Sequence, residues 1–271
     1  MTDRLRLRIS PCPNDTFMFE ALLNGRIPTQ GLAFEVGFQD IEELNEGVSS
    51  PDGPDISKIS YAVLPAVVDR YALLDSGSAL GRGNGQLLVR RRGDRSPIRR
   101  VAIPGELTTA NAMLLRFFPS IVDRTPVLFS EIAAAVERGA FDAGVLIHEG
   151  RFTYERHNLE LVADLGALWE QTGLPLPLGG IVASRELPAE VRRTFDRVLH
   201  DSIAYALEHP TVSRPFVREH ARELDDEVID RHIALFVNRY SLALGEEGRR
   251  AVRELTGLPD LRLGWEPLHG S

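Results

Sequence analysis

The sequence predicts an α/β protein built as two lobes. Three observations carry this reading. Strand-like and helix-like apolar patterns alternate from the N-terminus, a second such series follows a basic, turn-rich connector at 91–97, and the chain beyond Pro188 is helical throughout.

The first element is a strand, because Leu5, Leu7 and Ile9 alternate with Arg4, Arg6 and Arg8. Pro11 and Pro13 end it, since each fixes φ and removes a backbone donor. Asn14, Asp15 and Thr16 are residue types that cap helices, so the expected helix runs from Phe17 to Leu23, with Gly25 closing it. A strand at Leu32 to Phe38, a short helix at Ile41 to Val48 and a polar loop at 49–55 follow. Ile56 to Ser60 reads as a short buried strand and Ala62 to Leu74 as a helix. The cluster Gly81-Arg82-Gly83-Asn84-Gly85 has the glycines of a phosphate loop. It lacks the P-loop lysine and a following helix, so it reads as a turn into a strand at Gln86 to Arg90.

The second series comprises a strand at Val101 to Ile103, a helix at Thr109 to Phe118 and a strand at Pro126 to Phe129. A helix at Glu131 to Gly139 presents Ile132, Ala135 and Val136 on one face. Ala143 to Ile147 is the continuous apolar run of a buried parallel strand. Gly179 to Ser184 returns the chain to the first lobe, and helices follow at Ala189 to Glu208, Pro215 to Arg222, Asp225 to Tyr240 and Glu246 to Leu255. The expected division is therefore 1–92 with 185–271 as one lobe and 93–184 as the other. The C-terminal helices are expected to pack mainly on the first lobe.

Composition narrows the function. A formal charge of −8 argues against a nucleic-acid partner, and no apolar run is long enough to span a bilayer. Asp3 and the alternating arginines do not make a signal-peptide core, and one cysteine forms no internal disulfide. The expectation is a cytoplasmic protein acting on a small molecule, its oligomeric state left open. No zinc-like Cys/His spacing, Walker motif or Ser-His-Asp arrangement is visible, so neither a metal nor a cofactor is expected.

Several side chains are candidates for chemistry. His148 ends the apolar 143–147 strand, so its ring is expected at the strand's C-terminal edge, and imidazole is suited to accept a proton near neutrality. The other six histidines sit in helical, charged or terminal contexts that read as surface. Lys58 is the single lysine among 31 basic residues, with Ser57 and Ser60 beside it, which marks either chance survival or a place needing a compact point charge. Thr108-Thr109-Ala110-Asn111 opens a helix, where hydroxyls and free N–H groups either cap it or hold an anion, or both. Asn14, Asp15 and Thr16 stand at a strand-to-helix corner and form either a plain capped turn or one wall of a cleft. Cys12 reads as small buried packing, Trp169 as packing in the second lobe, and Leu174 to Leu178 as a stiff apolar wall of the cleft.

Six segments carry a family resemblance along nearly the whole chain: S-P-C-P-N-D-T-F at 10–17, K-x-S-Y at 58–61, A-L-G-R-G-x-G at 79–85, T-T-A at 108–110, H-E-x-R-F-T-Y at 148–154 and G-L-P-L-P-L-G-G at 173–180. Together they resemble the 1,4-dihydroxy-6-naphthoate synthase family of the futalosine route to menaquinone. The resemblance implies a type II periplasmic binding protein-like fold with the ligand in a cleft between the lobes. It implies cofactor-independent conversion of cyclic dehypoxanthine futalosine to 1,4-dihydroxy-6-naphthoate, a lyase reaction by proton abstraction and C–C cleavage. It makes His148 the proton acceptor and puts substrate contacts on Lys58, Ile59, Ser60, Thr109 and Ala110, with no role settled for Glu149 or Tyr154. Two alternatives stand beside it: a chorismate dehydratase of the same pathway and fold, and a cytoplasmic small-carboxylate-binding protein.

Overall fold

The computed structural model describes residues 4–148, 150–221 and 225–264. Eleven strands among these form two sheets. In the first, β1 (Leu5–Ile9) pairs in parallel with β2 (Phe34–Phe38) and β3 (Ile56–Ser60), and β4 (Tyr71–Leu73) and β5 (Ala79–Gly81) lie further along the chain. The second contains β6 (Leu87–Arg91), β7 (Arg100–Ile103), β8 (Asp123–Pro126), β9 (Ala143–Leu146) and β10 (Leu159–Asp164), in the order β10-β6-β9-β7-β8. The chain then returns, and β11 (Leu176–Ser184) runs antiparallel to β3, β4 and β5 in the first sheet.

Each sheet is covered by apolar helix faces. Leu7 and Ile9 of β1 meet Phe19 of the helix Pro13–Leu23 and Phe195, Leu199 and Ile203 of the helix Ala189–Glu208. Each such fully buried side chain is worth roughly 1.5–3 kcal/mol. The opposite face packs Tyr61, Leu73 and Val182 against Leu244, Ala251 and Val252. Around the second sheet, Met113, Leu114 and Trp169 lie on one face, and Ile132 and Val136 on the other. The helices Ala189–Glu208, Arg214–His220 and Asp226–Phe236 all contact Pro13–Leu23, so the C-terminal section packs on the first lobe.

Several elements depart from expectation. The first helix starts at Pro13, because Pro at the first helical positions is pre-set for helical φ and lacks only an N–H that has no partner there. The run at 62–74 is a 3-10 turn, a single helical turn (Leu64–Val67) and β4, since Pro65 and β-branched Val67 and Val68 favour a short turn over a long helix. The strand expected at 126–129 lies earlier, at Asp123–Pro126. The end of the 215–222 helix falls on Arg222, outside the described residues.

The crossings between sheets also fall elsewhere. The 91–97 connector joins β6 to β7 inside the second sheet, so β6 belongs there rather than with 1–92, and β11 belongs to the first sheet. The chain crosses at 81–87 and again at 164–176. These two segments touch backbone to backbone at Gly85 and Gly166: a Cβ on Gly85 would stand 2.2 Å from the Gly166 Cα, and one on Gly166 would stand 2.6 Å from the Gly85 Cα. Only glycine permits that approach.

Candidate functional site

The β1–helix corner forms the first wall of a cleft with about 630 Å³ of empty space, part of it open to solvent. Asp15 lies in the first turn of the helix, where the dipole favours a negative charge, and is wholly buried. Its Oδ2 accepts from Ser10 Oγ at 2.6 Å and Ser10 N at 3.3 Å, and its Oδ1 accepts from Asn14 Nδ2 at 2.8 Å and Lys58 Nζ at 2.9 Å. Lys58 is equally dry and comes from β3. An ion pair out of water persists only when its remaining polar atoms are also satisfied, and the serine and asparagine do this for the carboxylate. Ser60, two residues on, accepts at Oγ from Asn45 Nδ2 at 3.1 Å, while Asn45 Oδ1 accepts from Ser60 N at 2.8 Å.

The opposite wall comes from the second sheet. Thr108 caps the helix Thr109–Phe117, its Oγ1 accepting from Asn111 N at 3.2 Å and donating to Gly105 O at 2.8 Å. Thr109 Oγ1 donates to Leu178 O at 2.7 Å and accepts from Ala62 N at 3.4 Å, which ties this helix to the first lobe. The hydroxyl proton is thus spent on a carbonyl. The N–H groups of Thr109 and Ala110 have no partner among the described residues and sit at the positive end of the helix, the arrangement that binds carboxylates. Gln86 also lines the cleft, its buried Oε1 without a partner among the described residues.

His148 follows β9 with φ of +51°, a left-handed conformation uncommon for a residue with a side chain. Its ring keeps part of its surface open to the cleft. Phe129 meets it edge-on at 5.2 Å and His232 lies nearly parallel at 5.8 Å. Burial pushes the imidazole down to about 4, with the Asp15 carboxylate pulling it up and the Lys58 ammonium pushing it further down. At neutral pH it is therefore an uncharged base with a lone pair, facing a cleft that offers N–H donors and an ammonium to an anion.

Asn14, Asp15, Lys58, Ile59, Ser60, Thr109, Ala110 and His148 all line this one cleft. Thr16 does not: its hydroxyl turns back to Cys12 O at 3.1 Å and Pro13 O at 3.3 Å, the ordinary behaviour of a threonine inside a helix. Cys12, not Asn14 or Asp15, is the capping position, and it is buried. Leu178 lines the cleft, whereas Leu176 faces the second-lobe core with Trp169. Glu149 lies outside the described residues, and Tyr154 lies outside the cleft lining.

The surface reading of the histidines fails at His232, which is fully buried. Its Nε2 lies 2.9 Å from Asn14 Oδ1. The helix Asp226–Phe236 buries Val228, Ile229, His232 and Phe236, and Ile233 packs beside them. His232 thus occupies the apolar stripe at helical spacing, a signal present in the sequence. Gln86, next to the glycine-rich crossing, carried no such signal.

Two sheets with the site between them define a protein of the periplasmic-binding-protein class. The fold is similar to a Candida albicans gene product described as having the generic periplasmic binding protein fold, with a TM-score of 0.71 at 11% identity over 95% of this chain and 92% of that one. It is also similar to a protein from Archaeoglobus fulgidus, with a TM-score of 0.87 at 33% identity over 93% of this chain and 95% of that one. A family model described as menaquinone biosynthesis matches residues 5–259, and the chain belongs to that family. A Thermus thermophilus relative named 1,4-dihydroxy-6-naphthoate synthase is 46% identical over 256 residues, 93% of each chain. A Streptomyces coelicolor relative of the same name is 45% identical over 261 residues, 93% of this chain and 92% of its own.

Proposed function

We propose that this protein is a carbon–carbon lyase of the cytoplasm that converts cyclic dehypoxanthine futalosine to 1,4-dihydroxy-6-naphthoate, with His148 as the base. The names of its relatives support the activity. The observation that carries the mechanism is a neutral imidazole facing a cleft that also holds the free Thr109 and Ala110 N–H groups and Lys58, which suit a carboxylate. In this reading the substrate carboxylate rests on those N–H groups, which orients the remaining ring system towards His148. A C–H bond breaks and its proton goes to the imidazole; the released pair forms a ring double bond as the C–C bond to the sugar-derived fragment breaks, and that bond's pair leaves with the fragment, which takes up a proton. Aromatisation of the new ring supplies driving force. An anionic substrate in the cleft raises the imidazole's proton affinity, and Asp15 stabilises the imidazolium once formed.

Replacing His148 with Asn tests the assignment. Loss of a general base predicts a fall in kcat of about 100- to 10,000-fold, with product affinity measured by calorimetry and thermal stability little changed. A His148→Asn protein with near-normal turnover overturns the base assignment.

A further inference from the structure

Two rings outside the cleft lining, Phe129 and His232, flank His148. Among the described residues the His148 ring makes no hydrogen bond and is held by packing, against Phe129 and the flat face of His232. His232 is itself fixed by a chain of hydrogen bonds that begins at the buried ion pair. Lys58 Nζ donates to Asp15 Oδ1, and Asn14 Nδ2 donates to the same carboxylate oxygen. A carboxylate only accepts, so the Asn14 amide has one orientation, with Oδ1 turned to His232 at 2.9 Å. An amide oxygen also only accepts, so His232 carries its proton on Nε2. Its Nδ1 is then a bare lone pair, and this atom is buried with no partner among the described residues.

We propose that His232 is a positioning residue for His148: Asn14 fixes its plane and tautomer, and its flat face fixes the orientation of the His148 ring. A leucine would fill the same space without leaving a buried nitrogen unpaired, so the imidazole is a poor choice for packing alone. Phe236, one helical turn on, also contacts the His232 ring, its centroid at 4.5 Å and its plane tilted by 42°. The charged and titratable groups around the pair are Asp15, Lys58 and each other. Burial, the neighbouring His148 and Lys58 all hold His232 well below the usual histidine range. A neutral, electron-rich face is then available to the His148 imidazolium formed on proton abstraction.

This rests on His148 being the base, and the two claims fail separately. An active His148→Asn enzyme removes the base, whereas an inactive one combined with a fully active His232→Leu enzyme removes only the platform. For His232→Leu the expected result is a fall in kcat of about 10- to 100-fold with KM within about threefold, because the reacting ring loses its alignment and the carboxylate contacts do not. His232→Phe restores a flat neutral ring and is expected to return kcat to within a few-fold of the parent. A leucine variant with parental kcat, or a phenylalanine variant as impaired as the leucine one, overturns the proposal. Nitrogen-15 spectra of the unmodified protein give an answer that needs no variant. His232 is expected as the neutral Nε2–H tautomer at pH 7, and an Nδ1–H tautomer overturns the proposal.

Discussion

At the scale of single residues, Lys58 and Asp15 meet at 2.9 Å with side chains 6% and 0% exposed, so the value of each depends on the other. Removing one leaves an uncompensated charge out of water. Lys58→Met is expected to cost about 3–5 kcal/mol in urea unfolding, and the Asp15→Asn/Lys58→Met pair to cost clearly less than the sum of the two single changes. Additive losses would show that the pair is not coupled. The depressed imidazole of His148 gives a second expectation. A base held near 4 is already neutral at pH 5.5, so kcat/KM is expected to be level between about pH 5.5 and 8 and to fall only as pH drops towards 4. An acid limb centred near 6.5, the value of an ordinary histidine, would contradict this environment. Lys58 was legible as a lone lysine in an arginine-rich chain. Its partner was not, because Asp15 and Lys58 are 43 residues apart and only the β1–β3 pairing brings them together.

At the scale of elements, the crossings between lobes depend on two glycines in contact. Gly166→Ala places a methyl group against the Gly85 backbone, so the segments must separate at the edge of the cleft that Gly85 lines. The expected cost is about 1–3 kcal/mol, with a raised KM. Gly47→Ala makes the contrast: Gly47 lies in the helix Ile41–Ser49 with nothing within 4 Å of its added Cβ, and the change is expected to stabilise by about 0.5–1 kcal/mol. Thermal melts of both variants check the pair, and equal effects would show that the close approach is not what selects glycine at 166. The glycine-rich 81–85 segment was legible as a turn, but not as the crossing. Turn chemistry is local, whereas which sheet receives the next strand is decided by pairing with Leu146 and Leu159 far along the chain. The 62–74 segment misled for a different reason, since Val63, Leu64, Val67 and Tyr71 are buried at helix-like spacing although the chain enters a strand at Tyr71.

At the scale of the whole molecule, the site exists only where the lobes meet. Glu42 Oε1 accepts from Leu107 N at 3.0 Å, Thr109 bonds to Leu178, and Arg116 pairs with Glu254 at 2.8 Å, so the two sheets are joined around the cleft. The two-lobed α/β class was legible from alternating periodicities, and most cleft residues from residue type combined with strand-end or helix-start position. The burial of His232 was legible from helical spacing but its partner was not, because a C-terminal helix folds back onto the first corner of the chain, at a separation of 218 residues from Asn14. The cleft sets His148 of one sheet near the Asp15–Lys58 pair of the other, and the proposed chemistry rests on that union. The most direct test is to incubate the purified protein and its His148→Asn variant with cyclic dehypoxanthine futalosine and follow 1,4-dihydroxy-6-naphthoate by mass spectrometry. Product is expected from the parent protein and substrate binding without product from the variant; no product from the parent, or turnover by the variant, would contradict the proposed chemistry.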